Sequence, residues 1–130
     1  VFASPGPIYE PEGRTADYWR LARALFAAGF RAGDLVHNCF SYHFTPAGSM
    51  LETGAHALGC TVFPGGVGQT EQQVQAIADL RPQGYVGTPS FLRIILDKAE
   101  LTELTGPRRE ELAKRLRSAI QMGDLSENAD

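Results

Sequence analysis

The segment CFSYHFTPAG, residues 39–48, carries the side chains with the clearest potential for chemistry in this sequence. It places Phe40, Tyr42 and Phe44 around a single imidazole at His43, at the predicted end of a strand. Aromatic rings with one polar group suit a pocket for an apolar, aryl substrate. The alternative is that the rings cover the core of a sheet and that the imidazole is an ordinary hydrogen-bonded group. The pattern alone slightly favours that alternative.

Two other segments carry groups that suit a phosphate. GTPS offers the hydroxyls of Thr88 and Ser90 after a predicted strand, although a Thr-Pro pair is also a plain helix start. The Gly-containing segment SPGPIYEPEG, residues 4–13, follows an apolar run, and exposed backbone N–H groups in such loops attract anions. It has no Lys and carries Glu10 and Glu12, so an ordinary Pro-rich turn is favoured. The sequence shows no nucleophile–base–acid set, so no catalytic residue is predicted.

The elements that must position these groups alternate between strand-like and helix-like segments. Alternation with short Gly-rich links is typical of βαβ crossovers and predicts an α/β fold with a mostly parallel sheet. The loops after the strands are then expected to meet on one rim of the sheet, where ligands bind in such folds. The predicted strands are 1–4, 33–40, 60–66 and 84–88, and the predicted helices are 15–29, 45–58, 70–80 and the segment from 89 onward.

Two helix starts carry sequence signals. Asp17 is expected in the first turn of the helix that begins near Thr15, where a carboxylate suits the positive end of the helix dipole. Thr70 and Gln73 have the spacing of a capping box.

Composition limits the function classes. The net charge of −3 argues against the basic face that direct nucleic-acid binding needs. No apolar run approaches membrane-spanning length, so no membrane partner is expected. Cys39 and Cys60 lack metal-type spacing and are interpreted as buried free thiols in a reducing, cytoplasmic compartment, with a disulfide as the less favoured alternative.

The last thirty residues, 101–130, differ from the rest. They contain no aromatic side chain and no His, yet they hold five of the twelve Lys and Arg residues and six of the fifteen Asp and Glu residues. An apolar stripe between charged neighbours predicts a charged amphipathic helix of the surface or coiled-coil kind, with a boundary near 101–106. Such a stripe needs a partner surface, so self-association through this helix is expected. The stripe consists of Leu112, Leu116, Ala119 and Ile120.

Residues 1–100 resemble the N-terminal domain of phenylacetate–coenzyme A ligases and related adenylate-forming enzymes. The resemblance is carried by AAGFRAGD, YHFTPAG, GCTVFPGG and GTPSFL, which occur in family order. It implies an enzyme that makes an acyl-adenylate from an aryl acid and ATP with Mg²⁺ and then transfers the acyl group to coenzyme A.

This sequence differs from the family pattern in the phosphate loop. The usual pattern SSGTTGKP stands here as ASPGPIYEPEG, without the Lys and most of the hydroxyls. The resemblance therefore implies weak ATP binding, and the family's later segments are absent, so the chain alone is expected to be inactive. The positions implied by the resemblance are Ser4, Gly6, Gly13, Thr88 and Ser90 for ATP, and Phe40, Tyr42, Phe44 and Gly48 for the aryl-acid pocket.

The segment LTGPRREELAKRLRSAIQMGDLSENAD resembles the first arm and acidic tip of the coiled-coil hairpin of Gre-type bacterial transcript-cleavage factors. The resemblance implies RNA polymerase as a partner and assigns Asp124 and Glu127 to a catalytic Mg²⁺. Carboxylates three residues apart on a rigid tip suit one hard cation. The alternative is that SENAD simply begins another helix, with Ser126 as its cap.

Together the two resemblances predict a chimera that joins a ligase fragment, 1–100, to a cleavage-factor fragment, 101–130. The leading function is acid–thiol ligation through an adenylate. The alternatives are a non-enzymatic scaffold or interaction protein and a polymerase-binding factor that acts through the tail.

Overall fold

A computed structural model describes residues 1–4, 6, 8–101, 110–111 and 113–120 of the protein. The chain divides into two compact units, called here the first unit, Val1–Val67 with Gln83–Val86, and the second unit, Gly68–Pro82 with Gly87–Asp130. Among the described residues, no helix combines the length and the apolar character needed to cross a membrane. The elements in chain order are β1 (Phe2–Ser4), β2 (Ile8–Glu10), α1 (Ala22–Ala27), β3 (Leu35–Asn38), α2 (Ala47–Leu58), β4 (Thr61–Pro64), α3 (Thr70–Leu80), β5 (Gly84–Val86) and α4 (Pro89–Leu101).

The first unit is built on a parallel three-stranded sheet in the order β4-β3-β5. Val36 of the central strand lies opposite Val62 on one side and Gly84 on the other. Helix α2 connects β3 to β4 and packs against both, which makes a βαβ unit. The predicted α/β class with a parallel sheet is confirmed.

The core of the first unit surrounds β3. Val36, His37 and Asn38 are all buried, although successive side chains of a strand point to opposite faces, so the strand is covered on both sides. Cys39 and Cys60 are buried free thiols, as predicted. The core cluster consists of Leu25, Val36, Ala55 and Cys60, with Phe30, Leu51, Leu58, Val62 and Val86 packed against it.

The predicted first strand of the parallel sheet is wrong. β1 pairs antiparallel with β2 in a separate two-stranded sheet, with Ser4 opposite Ile8. The segment interpreted as a loop on the rim therefore supplies the second strand of a hairpin. Gly6 lies between the strands with φ of 93°, a conformation that L side chains rarely adopt and that allows the chain to reverse.

The predicted helix from Thr15 to Gly29 is too long, because α1 begins only at Ala22. Asp17 and Arg20 have positive φ angles of 52° and 61°, which a continuous helix excludes. Asp17 precedes the helix, and its carboxylate accepts from the N–H groups of Leu21 at 2.9 Å and Ala22 at 3.3 Å. It caps the helix from outside and does not occupy its first turn.

The predicted helices from 45 and 70 end where Gly59 and Arg81 adopt left-handed conformations. The capping box at Thr70 is wrong, because Gln69 holds the cap position with φ of 50°. The side-chain amide of Gln73 instead donates to the carbonyl oxygen of Gly68 at 3.3 Å.

In the second unit, residues 110–111 and 113–120 are helical. Arg117 pairs with Glu100 at 2.7 Å, and Arg81 pairs with Glu111 at 3.6 Å. Leu116 is only 4% exposed, so the prediction that the stripe needs another chain as its partner surface is wrong at this residue. The side chain of Leu112 and the predicted acidic tip lie outside the described residues.

Candidate functional site

The candidate site lies at the carboxyl end of β3, where Asn38 is 0% exposed. Its side-chain Nδ2 donates to the hydroxyl oxygen of Tyr42 at 2.8 Å and to the carbonyl oxygen of Gly48 at 3.0 Å. Its Oδ1 accepts from the backbone N–H of Phe40 at 3.1 Å. One buried amide therefore ties together the strand end, the loop that follows it and the first turn of α2.

Gly48 allows this loop to close. Its N–H donates to the carbonyl oxygen of Ser41 at 2.9 Å. A Cβ atom at Gly48 would lie 2.8 Å from that oxygen and 2.9 Å from the Tyr42 ring, closer than real Cβ atoms approach their neighbours. The backbone of α2 can approach the Tyr42 ring this closely because position 48 has no side chain.

Tyr42 is a neutral phenol in this setting. Burial raises its pKa to about 12, the nearby carboxylate of Glu52 also raises it, and the hydrogen bond from Asn38 opposes the rise. Burial likewise raises the pKa of the Cys39 thiol to about 12. The carboxyl end of β3 thus holds polar groups that stay uncharged at neutral pH.

The other aromatic residues of the segment are placed differently. Phe40 is half-buried, whereas Phe44 is 83% exposed and has φ of 59°. A positive φ is an outlier for a bulky side chain and marks local strain. His43 is exposed, and its backbone N–H donates to the Ser41 hydroxyl at 3.1 Å. The structure thus brings Tyr42 and Gly48 together through one amide and leaves Phe44 outside that network.

Residues 4–13 fit a phosphate poorly. Ser4 is paired in β1, and among the described residues, the chain neighbours of Gly6 aside, no atom lies within 4 Å of the position that a Cβ would take at Gly6. The Glu12 carboxylate is anchored, because it accepts from the Trp19 indole N–H and from the Ser49 hydroxyl, both at 2.8 Å. A hairpin beside a fixed carboxylate is unlike the helix-start cradle that binds phosphate.

Gly13 has a close packing neighbour in the same loop. A Cβ atom there would lie 2.8 Å from the Tyr18 ring. This contact explains the glycine without a ligand, and a role in binding ATP stays a prediction.

Thr88 and Ser90 lie in the second unit at the start of α4. The Thr88 hydroxyl oxygen accepts from the Phe91 N–H and from the Ser90 hydroxyl, each at 3.3 Å. These bonds match the plain helix start that the sequence left open as an alternative. Binding of ATP by these hydroxyls stays a prediction.

Asp124 and Glu127, the predicted Mg²⁺ ligands, lie outside the described residues. Among the residues that are described, no group of three or more His, Cys, Asp or Glu side chains could hold a metal ion.

Comparison with known proteins shows which enzymes this chain is similar to. The chain is 43% identical over 107 residues to a phenylacetate-coenzyme A ligase of Aromatoleum evansii, covering 77% of this chain and 24% of that protein. The chain is similar to phenylacetate-coenzyme A ligases. A second such ligase, of Pseudomonas putida, is 44% identical over 80 residues, which is 62% of this chain and 18% of that one. The chain therefore spans about a quarter or less of the length of these ligases.

The structure agrees with the sequence similarity. A crystal structure of 2-hydroxyisobutyryl-CoA ligase in complex with 2-HIB-AMP and CoA matches with a TM-score of 0.69 and 26% identity, over 79% of this chain and 23% of that one. The resemblance to adenylate-forming ligases that the sequence motifs predicted is confirmed by these ligase similarities.

A different family matches the end of the chain. The family described as transcription elongation factor, N-terminal, of the GreA and GreB kind, matches residues 97–130. The match begins inside α4, four residues before the helix ends at Leu101. It supports the predicted resemblance of the tail, whereas the predicted boundary at 101–106 stays a prediction.

Sequence reasoning missed Asn38. It sits in the apolar run LVHNCF, where a lone amide gives no clear signal of function. A polar residue at the carboxyl end of a buried parallel strand is the signal that could have found it, because such a group must have partners in the loops beyond.

The raised pKa values predict loss of stability at alkaline pH. Both the Cys39 thiol and the Tyr42 phenol have folded pKa values of about 12, above their ordinary values of 9.0 and 10.0. The contribution of Cys39 is therefore complete below about pH 9 and that of Tyr42 below about pH 10, and each falls as pH rises toward 12, by at most about 1.4 kcal/mol per pH unit and by less for the partly solvated Tyr42. Urea unfolding followed by the fluorescence of Trp19, the single tryptophan, should show this decline. A Cys39→Ala chain should show a shallower decline, and an equal slope in both chains would contradict the assignment.

Proposed function

We propose that this chain derives from the N-terminal region of an aryl-acid–coenzyme A ligase and retains part of its acid-binding site. The observation that carries the proposal is the 43% identity to a phenylacetate-coenzyme A ligase over 77% of the chain. In the complete enzyme, the reaction activates a carboxylate as an acyl-adenylate and transfers the acyl group to coenzyme A. ATP supplies the adenylyl group, and coenzyme A supplies the thiol.

The carboxyl end of β3 suits the acid-binding part of this function. Tyr42 and the half-buried Phe40 present aromatic surface, and the amide of Asn38 holds the loop that carries them. Tyr42 is protonated at neutral pH, as a phenol ordinarily is, and burial raises its pKa further, to about 12, so its hydroxyl adds no negative charge to that of the nearby Glu52 carboxylate. Residues 4–13 fit a phosphate poorly, so we assign no ATP-dependent step to this chain alone.

A heteronuclear NMR titration of the chain with phenylacetate tests the proposal. Shifts confined to residues 38–48 at about millimolar ligand are expected, because a partial site binds weakly. Added ATP–Mg²⁺ should leave residues 4–13 unshifted, and a mixture with coenzyme A should form no AMP. A folded chain without shifts from phenylacetate would overturn the acid-binding role, and AMP formation would overturn the expected inactivity.

We propose a second candidate function for the tail, because residues 97–130 match the transcription elongation factor family. In this reading Asp124 and Glu127 hold a Mg²⁺ ion when the tail is bound to RNA polymerase. Retention of the chain by purified bacterial RNA polymerase, lost in a double Asp124→Ala, Glu127→Ala chain and kept in a Glu110→Ala control, is the expected result. Equal retention of both variants would contradict it.

We also propose that the two kinds of sequence join near Glu100 and Leu101, in a cytoplasmic protein. If phenylacetate and polymerase both fail to bind, the remaining reading is a non-enzymatic scaffold. Self-association through the tail is then the property to measure, and a monomer mass that does not change with concentration would argue against it.

A further inference from the structure

The orientation of the Asn38 amide is fixed by two backbone groups. The N–H of Phe40 can only donate and the carbonyl of Gly48 can only accept, so Oδ1 must face Phe40 and Nδ2 must face Gly48. In the reversed orientation, the donor Nδ2 would face the Phe40 N–H, which is also a donor, and the acceptor Oδ1 would face the Gly48 carbonyl oxygen, which is also an acceptor. Nδ2 is therefore also the group that meets the hydroxyl of Tyr42 at 2.8 Å.

This orientation determines what the Tyr42 hydroxyl can do. Because Nδ2 is a donor, the Tyr42 oxygen must accept, and its own proton remains free to be donated elsewhere. No described residue accepts that proton by a hydrogen bond. A partly buried tyrosine hydroxyl normally finds an acceptor, and here water or a bound ligand must supply it.

The charge state agrees with this role. A phenol is ordinarily protonated at neutral pH, and burial together with the nearby Glu52 carboxylate raises the pKa of Tyr42 further, to about 12, so the proton is present well into the alkaline range. A neutral O–H that donates to an ionised carboxylate forms a strong, charge-assisted hydrogen bond.

We propose that Asn38 is a positioning residue that fixes Tyr42 as a hydrogen-bond donor toward an acceptor on the bound ligand. The site therefore selects aryl ligands whose side chain carries an acceptor, such as a carboxylate, over ligands of the same shape that carry none. This inference rests on the proposed acid-binding function and adds the group that recognises the acid.

Two probes of similar shape test the selection. Phenylacetate carries a carboxylate, whereas 2-phenylethylammonium carries a cation with donors and no acceptor. NMR titrations of the unaltered chain, Tyr42→Phe and a Tyr85→Phe control give six dissociation constants. The control removes the same hydroxyl from a tyrosine on β5.

Tyr42→Phe should weaken phenylacetate binding by about tenfold and change binding of 2-phenylethylammonium by less than about twofold. Tyr85→Phe should change neither by more than about twofold. Equal weakening of both probes by Tyr42→Phe, or of neither, would overturn the donor role while leaving acid binding in place. Failure of the unaltered chain to bind phenylacetate would instead overturn the proposed function itself and this inference with it.

The positioning role of Asn38 has its own readout. A carboxylate at position 38 can only accept, so in a folded Asn38→Asp chain the Tyr42 proton turns inward and the preference for phenylacetate should fall as it does in Tyr42→Phe. A folded Asn38→Asp chain that keeps the preference would show that Asn38 does not set the direction of the bond.

Discussion

Replacing Asn38 with alanine is expected to lower the free energy of unfolding of the first unit by about 3–5 kcal/mol. The substitution removes the partner of the Phe40 N–H, the Gly48 carbonyl and the Tyr42 hydroxyl in one step. Asn38 and Gly48 are buried, so water cannot readily replace the lost bonds. Each unsatisfied buried group costs about 1–3 kcal/mol, and the empty amide volume adds to that cost.

Urea unfolding followed by Trp19 fluorescence measures this effect, because Trp19 belongs to the first unit. The matched control is Gln83→Ala, which removes another amide that binds the opposite end of β3. Gln83 Oε1 accepts from the Leu35 N–H at 2.6 Å in an exposed position, so its loss should cost less than about 1 kcal/mol. Equal effects of the two substitutions would mean that the Asn38 bonds contribute no more than surface bonds.

The parallel sheet could be predicted because its signals are local. The strands and α2, α3 and α4 follow hydrophobic periodicity, with Gly, Pro or a Thr-Pro start at their ends. The hairpin and the short α1 depend on information that periodicity does not carry. The chain before α1 is held by Glu12, whose carboxylate binds Ser49 thirty-seven residues away. Such a contact exists only after the chain has folded.

The candidate site likewise contains residues that could be predicted from the sequence and one that could not. Tyr42 and Gly48 were found through a family resemblance, while the residue that joins them was not. The role of Asn38 depends on Tyr42 and Gly48, four and ten residues later, folding back onto the strand end. In the sequence, Asn38 is one amide in an apolar run; in the folded first unit, it is the side chain that organises the loop.

Replacing Ile95 with alanine is expected to destabilise the second unit by about 2–5 kcal/mol. Ile95 lies on α4, is 0% exposed and is the largest fully buried side chain among the described residues. Ile94→Ala is the matched control, because it makes the same chemical change at a neighbouring position that is 52% exposed. The control should change stability by less than about 1 kcal/mol.

The same two variants also test which interactions hold residues 113–120 in place. The ion pairs Arg117–Glu100 and Arg81–Glu111 are solvent-exposed, and each such pair contributes only about 0–1 kcal/mol. Leu116 is buried, and burial of a leucine side chain contributes about 1.5–3 kcal/mol, more than either ion pair. Ile95→Ala should lower amide hydrogen-exchange protection of residues 113–120 together with that of α4, whereas Ile94→Ala should not. If residues 113–120 kept full protection while α4 lost it, this segment would be a helix whose stability does not depend on α4. That outcome is expected for a cleavage-factor arm that folds independently of the ligase-like part.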